Sequence, residues 1–138
     1  MTSPGTHPGQ ASEALIRQLL AVVGAGAWTE LNDVLHPQFV ITEPASPPWG
    51  GDHHGIDGYR DLITTIAGAF ALDFHIEAVL PGDATTVMLS NVTFTHRTSG
   101  RSQVIRVAEA FSVIDERLAS SRVYLDSGAL LALLHDGW

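Results

Sequence analysis

The stretch VIRVAEAFSV, residues 104–113, constrains this chain more than any other. Its residues alternate with a period of two, which predicts a β-strand. Ile105, Val107, Phe111 and Val113 share one face, and Arg106, Ala108, Ala110 and Ser112 share the other. Glu109 falls in the middle of the apolar face. Burying an ionised, unpaired carboxylate there is costly, so its pKa must rise or a partner must face it. A fold has little use for such a group, whereas a catalytic pocket has an obvious one. A one-residue bulge would instead turn Glu109 to solvent.

The chain has 138 residues, the size of one domain, and 45% hydrophobic content supplies a sizeable core. The formal charge is -8 with only 7 Lys+Arg, so no basic patch can form. Nucleic acid and anionic membrane surfaces are therefore not expected partners. The chain has no cysteine, which removes disulfides, thiolate metal sites and cysteine nucleophiles and fits a cytoplasmic protein. MTSPGTHPGQ has no basic region leading into an apolar core, so no signal peptide is expected. No apolar run is long enough to span a bilayer.

Residues 1–11, rich in Pro, Gly, Ser and Thr, read as a disordered lead-in to a single domain over 12–138. Ser12 caps a predicted helix to about Gly24, and a second short helix covers about 27–35, stopped by Pro37. FVITE, 39–43, predicts a strand with Phe39, Ile41 and Glu43 on one face. PASPPWGGDHHG, 44–55, reads as a rigid irregular loop. Asp57 caps a helix over about 58–71. Strands follow at about 72–80, 85–97, around Glu109 and at 118–126, with a short helix at 127–135. Helices early and hairpin-linked strands late predict an α+β fold. Its strongly curved antiparallel sheet, packed on N-terminal helices, encloses one hydrophobic pocket like a cone.

Three pieces carry a family likeness: ITEPASPPWGG-DHHGIDGYRDLI, VAEAFSVID and VYLDSGALLALL. Over roughly residues 12–134 the layout resembles the nuclear transport factor 2-like fold. That group holds ketosteroid isomerase, limonene epoxide hydrolase, scytalone dehydratase and the SnoaL-like polyketide cyclases. The resemblance implies that Glu43 stands where ketosteroid isomerases place their general-base aspartate, just before a proline. It implies that Glu109 stands where they place a carboxylic acid kept neutral by an apolar site, donating to the oxyanion. The chain also departs from the pattern. Leu19 replaces the helix-one tyrosine of that oxyanion hole. Val123 and Glu109 occupy the positions of the catalytic aspartate and the histidine of the cyclases. The Arg-Asp-Asp trio of the epoxide hydrolases is absent as such, although Arg106, Glu109 and Asp126 supply similar residue types. Homodimerisation is implied too, and Ala108 and Ala110 suit a sheet face covered by a partner.

The leading site pair is Glu43 and Glu109, one carboxylate as base and one protonated as donor. Tyr124 is a candidate oxyanion donor in place of the missing tyrosine. Trp49 and Tyr59 are candidate pocket walls that stack on a flat substrate. His53 and His54 lie in the rim loop, where adjacent residues of an extended chain cannot both point inward. His96 joins the site if Ser90, Phe94 and His96 face inward rather than Asn91, Thr93 and Thr95. Asp126 either faces substrate or caps the last helix. The histidine pair and Asp52 lack a further ligand at a readable spacing, so no metal is expected. The glycines at 50, 51, 55 and 58 do not follow a strand in dinucleotide-binding order, and no cofactor is expected.

The sequence thus points to a small cofactor-independent acid/base enzyme of specialised, polyketide-like metabolism. It would enolise, isomerise, dehydrate or cyclise a hydrophobic carbonyl compound. Two alternatives stay open. One is epoxide opening by the pocket carboxylates. The other is a non-catalytic binding or dimeric assembly module, with a pocket filled by side chains and Glu109 paired to Arg106 or Arg122.

Overall fold

A computed structural model describes residues 8–135. Helix α1 (Pro8–Ala25) leads through a 3-10 turn (Trp28–Glu30) into the short α2 (Leu31–Val34) and strand β1 (Leu35–Glu43). Strand β2 (Gly51–His54) and helix α3 (Gly55–Ala69) follow. The chain ends in β3 (Phe70–Leu80), β4 (Thr86–His96), β5 (Ser102–Ile114), β6 (Arg117–Leu125) and α4 (Ser127–Leu134). The six strands form one sheet in the order β2-β1-β6-β5-β4-β3. The expected meander is present: β3 to β6 pair antiparallel, each with the next. The expected α+β architecture holds, with helices covering one face of a curved, unclosed sheet.

One pairing makes the sheet mixed rather than wholly antiparallel. β1 lies parallel to β6. A parallel pair needs a long crossover, and here α3 and four strands, β2 to β5, supply it.

Other boundaries differ for local reasons. α1 starts at Pro8, ahead of Ser12, which is buried within the helix. Proline fits a first helical turn, where its missing N–H has no partner to lose. Residues 1–7, the remainder of the proposed lead-in, lie outside the described residues. Pro37 falls inside β1, beside a register irregularity between Leu35 and Val40. Proline is tolerated in a sheet at such a place, where no ladder bond requires its nitrogen. Asp57 does not cap α3. His54 holds that position, and Asp57 sits in the first turn, where the helix dipole favours its charge.

Strand β2 replaces part of the expected loop. It pairs with β1 from Val40↔His54 to Glu43↔Gly51, and Thr42 donates to Asp52 at 2.7 Å. The chain before it folds back so tightly that a Cβ on Gly50 would meet the Ala45 carbonyl oxygen at 2.4 Å. The β5–β6 connection is a two-residue turn. Asp115 and Glu116 both take positive φ, 53° and 62°, as a type I′ hairpin requires.

The core lies between the helices and the inner sheet face. Ile16, Leu19, Leu62, Phe39, Phe70 and Phe111 are among its largest fully buried members. Phe70 meets Phe94 edge-on at 5.5 Å and Trp49 at 6.3 Å, a favoured aromatic geometry. This packing leaves a hollow toward one end of the sheet.

Candidate active site

The sheet register sets the site. Val123 of β6 pairs with Glu109 of β5, which pairs with Met88 of β4. Thr42 of β1 pairs with Arg122, so Glu43 is level with Val123. Glu43, Val123, Glu109 and Met88 therefore form one row across four strands. Glu43 and Glu109 flank Val123, two strand spacings apart, or about 10 Å between backbones. Both carboxyl groups line a single chamber of about 110 Å³. Its other walls are almost wholly apolar, including Trp49, Tyr59, Phe94 and Leu130.

The strand carrying Glu109 has the alternation read from its sequence. Ile105, Val107 and Phe111 are buried and Arg106 is exposed. Glu109 accepts a hydrogen bond from the Ser121 hydroxyl of β6. It makes no ion pair with Arg106 or Arg122 among the described residues. Glu43 is 8% exposed, and no described residue donates a hydrogen bond to its carboxyl group.

Burial dominates the electrostatics. It pushes the Glu43 carboxyl from 4.5 to about 7, and repulsion from Glu109 adds to the rise. Burial pushes Glu109 to about 7 as well, opposed by the Ser121 hydrogen bond. Two interacting acids of this kind titrate as a unit, and near neutral pH the pair holds about one proton. Tyr59 is 5% exposed, and its ring meets Phe39 edge-on at 5.5 Å. Burial raises its pKa, and the charges of Glu109 and Glu43 raise it further, so the phenol stays neutral. The chamber thus holds a neutral phenol and a carboxyl pair that shares about one proton near neutral pH.

The remaining sequence candidates sort by register. Trp49 is buried in the chamber wall, as is Tyr59. Tyr124, contrary to the sequence expectation, does not reach the chamber: it lies on the outer face, 56% exposed. The cause is an irregularity in the β5–β6 pairing, where Ser112 faces Ser120 but Val113 faces Leu118. The slip turns Ser121 and Val123 inward and Tyr124 outward. Tyr124 and Arg122 line a shallow groove outside the chamber, bordered by Glu43.

His53 does not reach the chamber. Its Nε2 bonds the Trp49 carbonyl at 2.7 Å and so fastens the wall loop to β2. His54 is exposed and lines a surface hollow beside Arg60 and Trp28. The Ser90, Phe94 and His96 set does face inward on β4, with Ser90 and Phe94 buried. His96, at the strand end, packs on Phe70 at 5.6 Å and contacts Ser99 at 3.2 Å, away from the carboxyl row. Asp126 caps α4, accepting from the Ala129 amide at 3.1 Å, and does not line the chamber.

Sequence reasoning missed Ser121, Phe74 and Leu130. Ser121 was legible only as the in-phase partner of Val123. Phe74, 41% exposed, lines the chamber from β3 on the inward phase of Phe70 and Leu72. Larger surface hollows lie by α1 and the β3–β4 turn and by α2, but among the described residues neither contains a buried acid. No cluster of His, Asp or Glu able to hold a metal occurs among the described residues, and no described helix is long and apolar enough to cross a membrane.

This arrangement, an acid-lined hollow between a curved sheet and its covering helices, coincides with a known family. Residues 16–121 match the family described as SnoaL-like domain, and the chain belongs to it. Its fold is shared with solved structures of the NTF2-like group. An NTF2-like protein from Burkholderia xenovorans superposes with a TM-score of 0.83 at 17% identity, covering 91% of this chain and 96% of that one. A protein from Jannaschia, named as a candidate SnoaL-like polyketide cyclase, gives 0.81 at 15% identity, covering 96% and 97%. IdmH of Streptomyces antibioticus, also named as a candidate polyketide cyclase, gives 0.75 at 17% identity, covering 94% and 100%. No curated protein matches the sequence.

Proposed function

We propose that this protein is a cofactor-independent acid/base enzyme acting on a small, neutral, hydrophobic carbonyl compound. One observation carries the reading: Glu43 and Glu109 line one apolar chamber, each poised near neutrality. A base works best with a pKa near the working pH, and a carboxylic acid can donate only while it holds its proton. With one proton shared, the pair supplies both functions. The ionised member removes a proton from the carbon beside the carbonyl. The neutral member donates a hydrogen bond to the carbonyl oxygen, where negative charge develops. The Tyr59 phenol in the chamber wall is a second neutral donor. The resulting enol then isomerises, cyclises or loses a leaving group, according to the substrate.

The chamber admits the reactive end of a substrate, while the remainder lies across Phe74 and Leu72. An anionic substrate is disfavoured by the carboxylates. The polyketide cyclase names among the structural neighbours fit this chemistry. The protein works as a homodimer, a state supported by the outer sheet face, where Ala108 and Ala110 are half-buried and Tyr124 is exposed.

Exchange at the acidic carbon tests the reading without knowledge of the full reaction. The protein is incubated in D2O with cyclopentanone, cyclohexanone or 2-cyclohexenone, and deuterium uptake is followed by mass spectrometry. Uptake should exceed that with a Glu43→Gln/Glu109→Gln double variant by about 100-fold or more. Equal uptake with all three ketones contradicts the proposal.

A further inference from the structure

The two acids are not equivalent, and one hydroxyl distinguishes them. Ser121 donates to Glu109 from the neighbouring strand. No described residue donates to Glu43, although it is buried at 8% exposure. A hydrogen bond to a carboxylate stabilises the charged form, whereas burial without a donor favours the neutral one. We infer that Ser121 allocates the charge, so that Glu109 is the ionised base and Glu43 is the neutral acid that donates to the substrate oxygen. This assignment rests on the acid/base reading above and reverses the roles that the resemblance to ketosteroid isomerase implies.

The surroundings of Glu109 leave Ser121 as the deciding group. From β1 it faces Glu43, and from α3 it shares the chamber with the neutral Tyr59. From β4 its row neighbour is Met88, and from α1 and α4 the chamber receives Val23 and Leu130. Arg122 follows Ser121 on β6 but is exposed on the outer phase of the strand. Arg106, on β5 itself, is exposed as well. Among the described residues, no cation in the chamber competes with the serine for control of the proton. Ser121 is 2% exposed, so its hydroxyl has little water to turn to. It is a positioning residue that acts through Glu109.

In the step so assigned, the carbon–hydrogen bond beside the carbonyl breaks and its proton passes to Glu109. The electron pair moves into the carbonyl, and the oxygen takes the hydrogen bond, or the proton, of Glu43. Glu109 then returns its proton at the new carbon position and Glu43 recovers its own, so both side chains end as they began.

Site-resolved titration tests this without substrate. The side-chain carboxyl carbons of the 13C-labelled protein are followed by NMR in the wild type, Ser121→Ala and Ser121→Thr. In the wild type Glu109 should ionise at a lower pH than Glu43. In Ser121→Ala its midpoint should rise by about one pH unit. Ser121→Thr retains the hydroxyl and should restore the wild-type order, which a purely structural role would not produce. If Glu43 ionises first, or if Ser121→Ala leaves both midpoints in place, the inference is overturned and the acid/base pair stands. If both groups titrate near the ordinary carboxylate value, the pair itself is lost, and the proposed function with it.

Discussion

Glu109 and Phe111 sit two residues apart on the same face of β5, and the same pleat points both inward. Phe111 is 2% exposed and fills the core with hydrocarbon. Glu109 ends in a hollow that the core leaves open. One position lowers the free energy of the fold by burial, while the other holds a group that burial penalises. The contrast separates the part of this sheet that builds the fold from the part that is available for chemistry. Neighbouring inward positions on one strand should therefore respond to substitution with opposite signs.

The largest effect belongs to the hydrocarbon side. Phe111→Ala should cost about 3–5 kcal/mol in urea unfolding, at acidic and alkaline pH alike, since it leaves a cavity and no charge. Phe70→Ala should behave similarly, because Phe70 is fully buried and packs against the rings of Trp49, Phe94 and His96.

The acid side should instead show a pH signature. The native Glu43 and Glu109 carboxyls are raised to about 7, from 4.5. Between those values the unfolded chain releases protons that the native state retains, so stability falls as pH rises. Stability should be fully present below about pH 4.5 and decline through pH 7, with each acid contributing a loss of up to about 3 kcal/mol. Unfolding midpoints at a series of pH values would show it, and the slope should flatten in a Glu43→Gln/Glu109→Gln variant.

Smaller effects mark residues that belong to neither class. Asp126→Ala should cost about 1 kcal/mol through loss of the α4 cap, with no change in the titration of Glu43 or Glu109. Tyr124→Phe should shift stability by less than about 0.5 kcal/mol in the monomer and leave ketone exchange unchanged, since the residue faces away from the chamber. A loss of exchange in that variant would blur the distinction between the two sheet faces.

The features legible in the sequence were those that follow from strand period alone. The inward phase of Glu109 was written in Ile105, Val107 and Phe111, and that of Glu43 in Phe39 and Ile41. The meander followed from its turns. Wherever the period breaks, reading from residues fails. The slip opposite Ser112 and Val113 reversed the phase of β6, hiding Ser121 and misplacing Tyr124. Strand β2 is too short and too polar to show alternation, and its pairing depends on β1 across a Pro-rich and Gly-rich loop. The parallel contact of β1 with β6 joins segments far apart in the chain and leaves no local signal. The histidines show a different limit. Residue type suggested chemistry at His53, but the Trp49 carbonyl occupies its ring nitrogen, a partner that no spacing in the sequence specifies.

The central claim is that the Glu43–Glu109 row is held against the preference of the fold. Urea unfolding of Glu43→Gln beside the wild type, at pH 8 and at pH 5, tests it most directly. The variant should be more stable than the wild type by about 2–3 kcal/mol at pH 8 and by no more than about 1 kcal/mol at pH 5, where the native acid is neutral and only the unfolded chain ionises. A loss of about 2–3 kcal/mol at both pH values would make Glu43 a structural hydrogen-bonding partner and contradict the account.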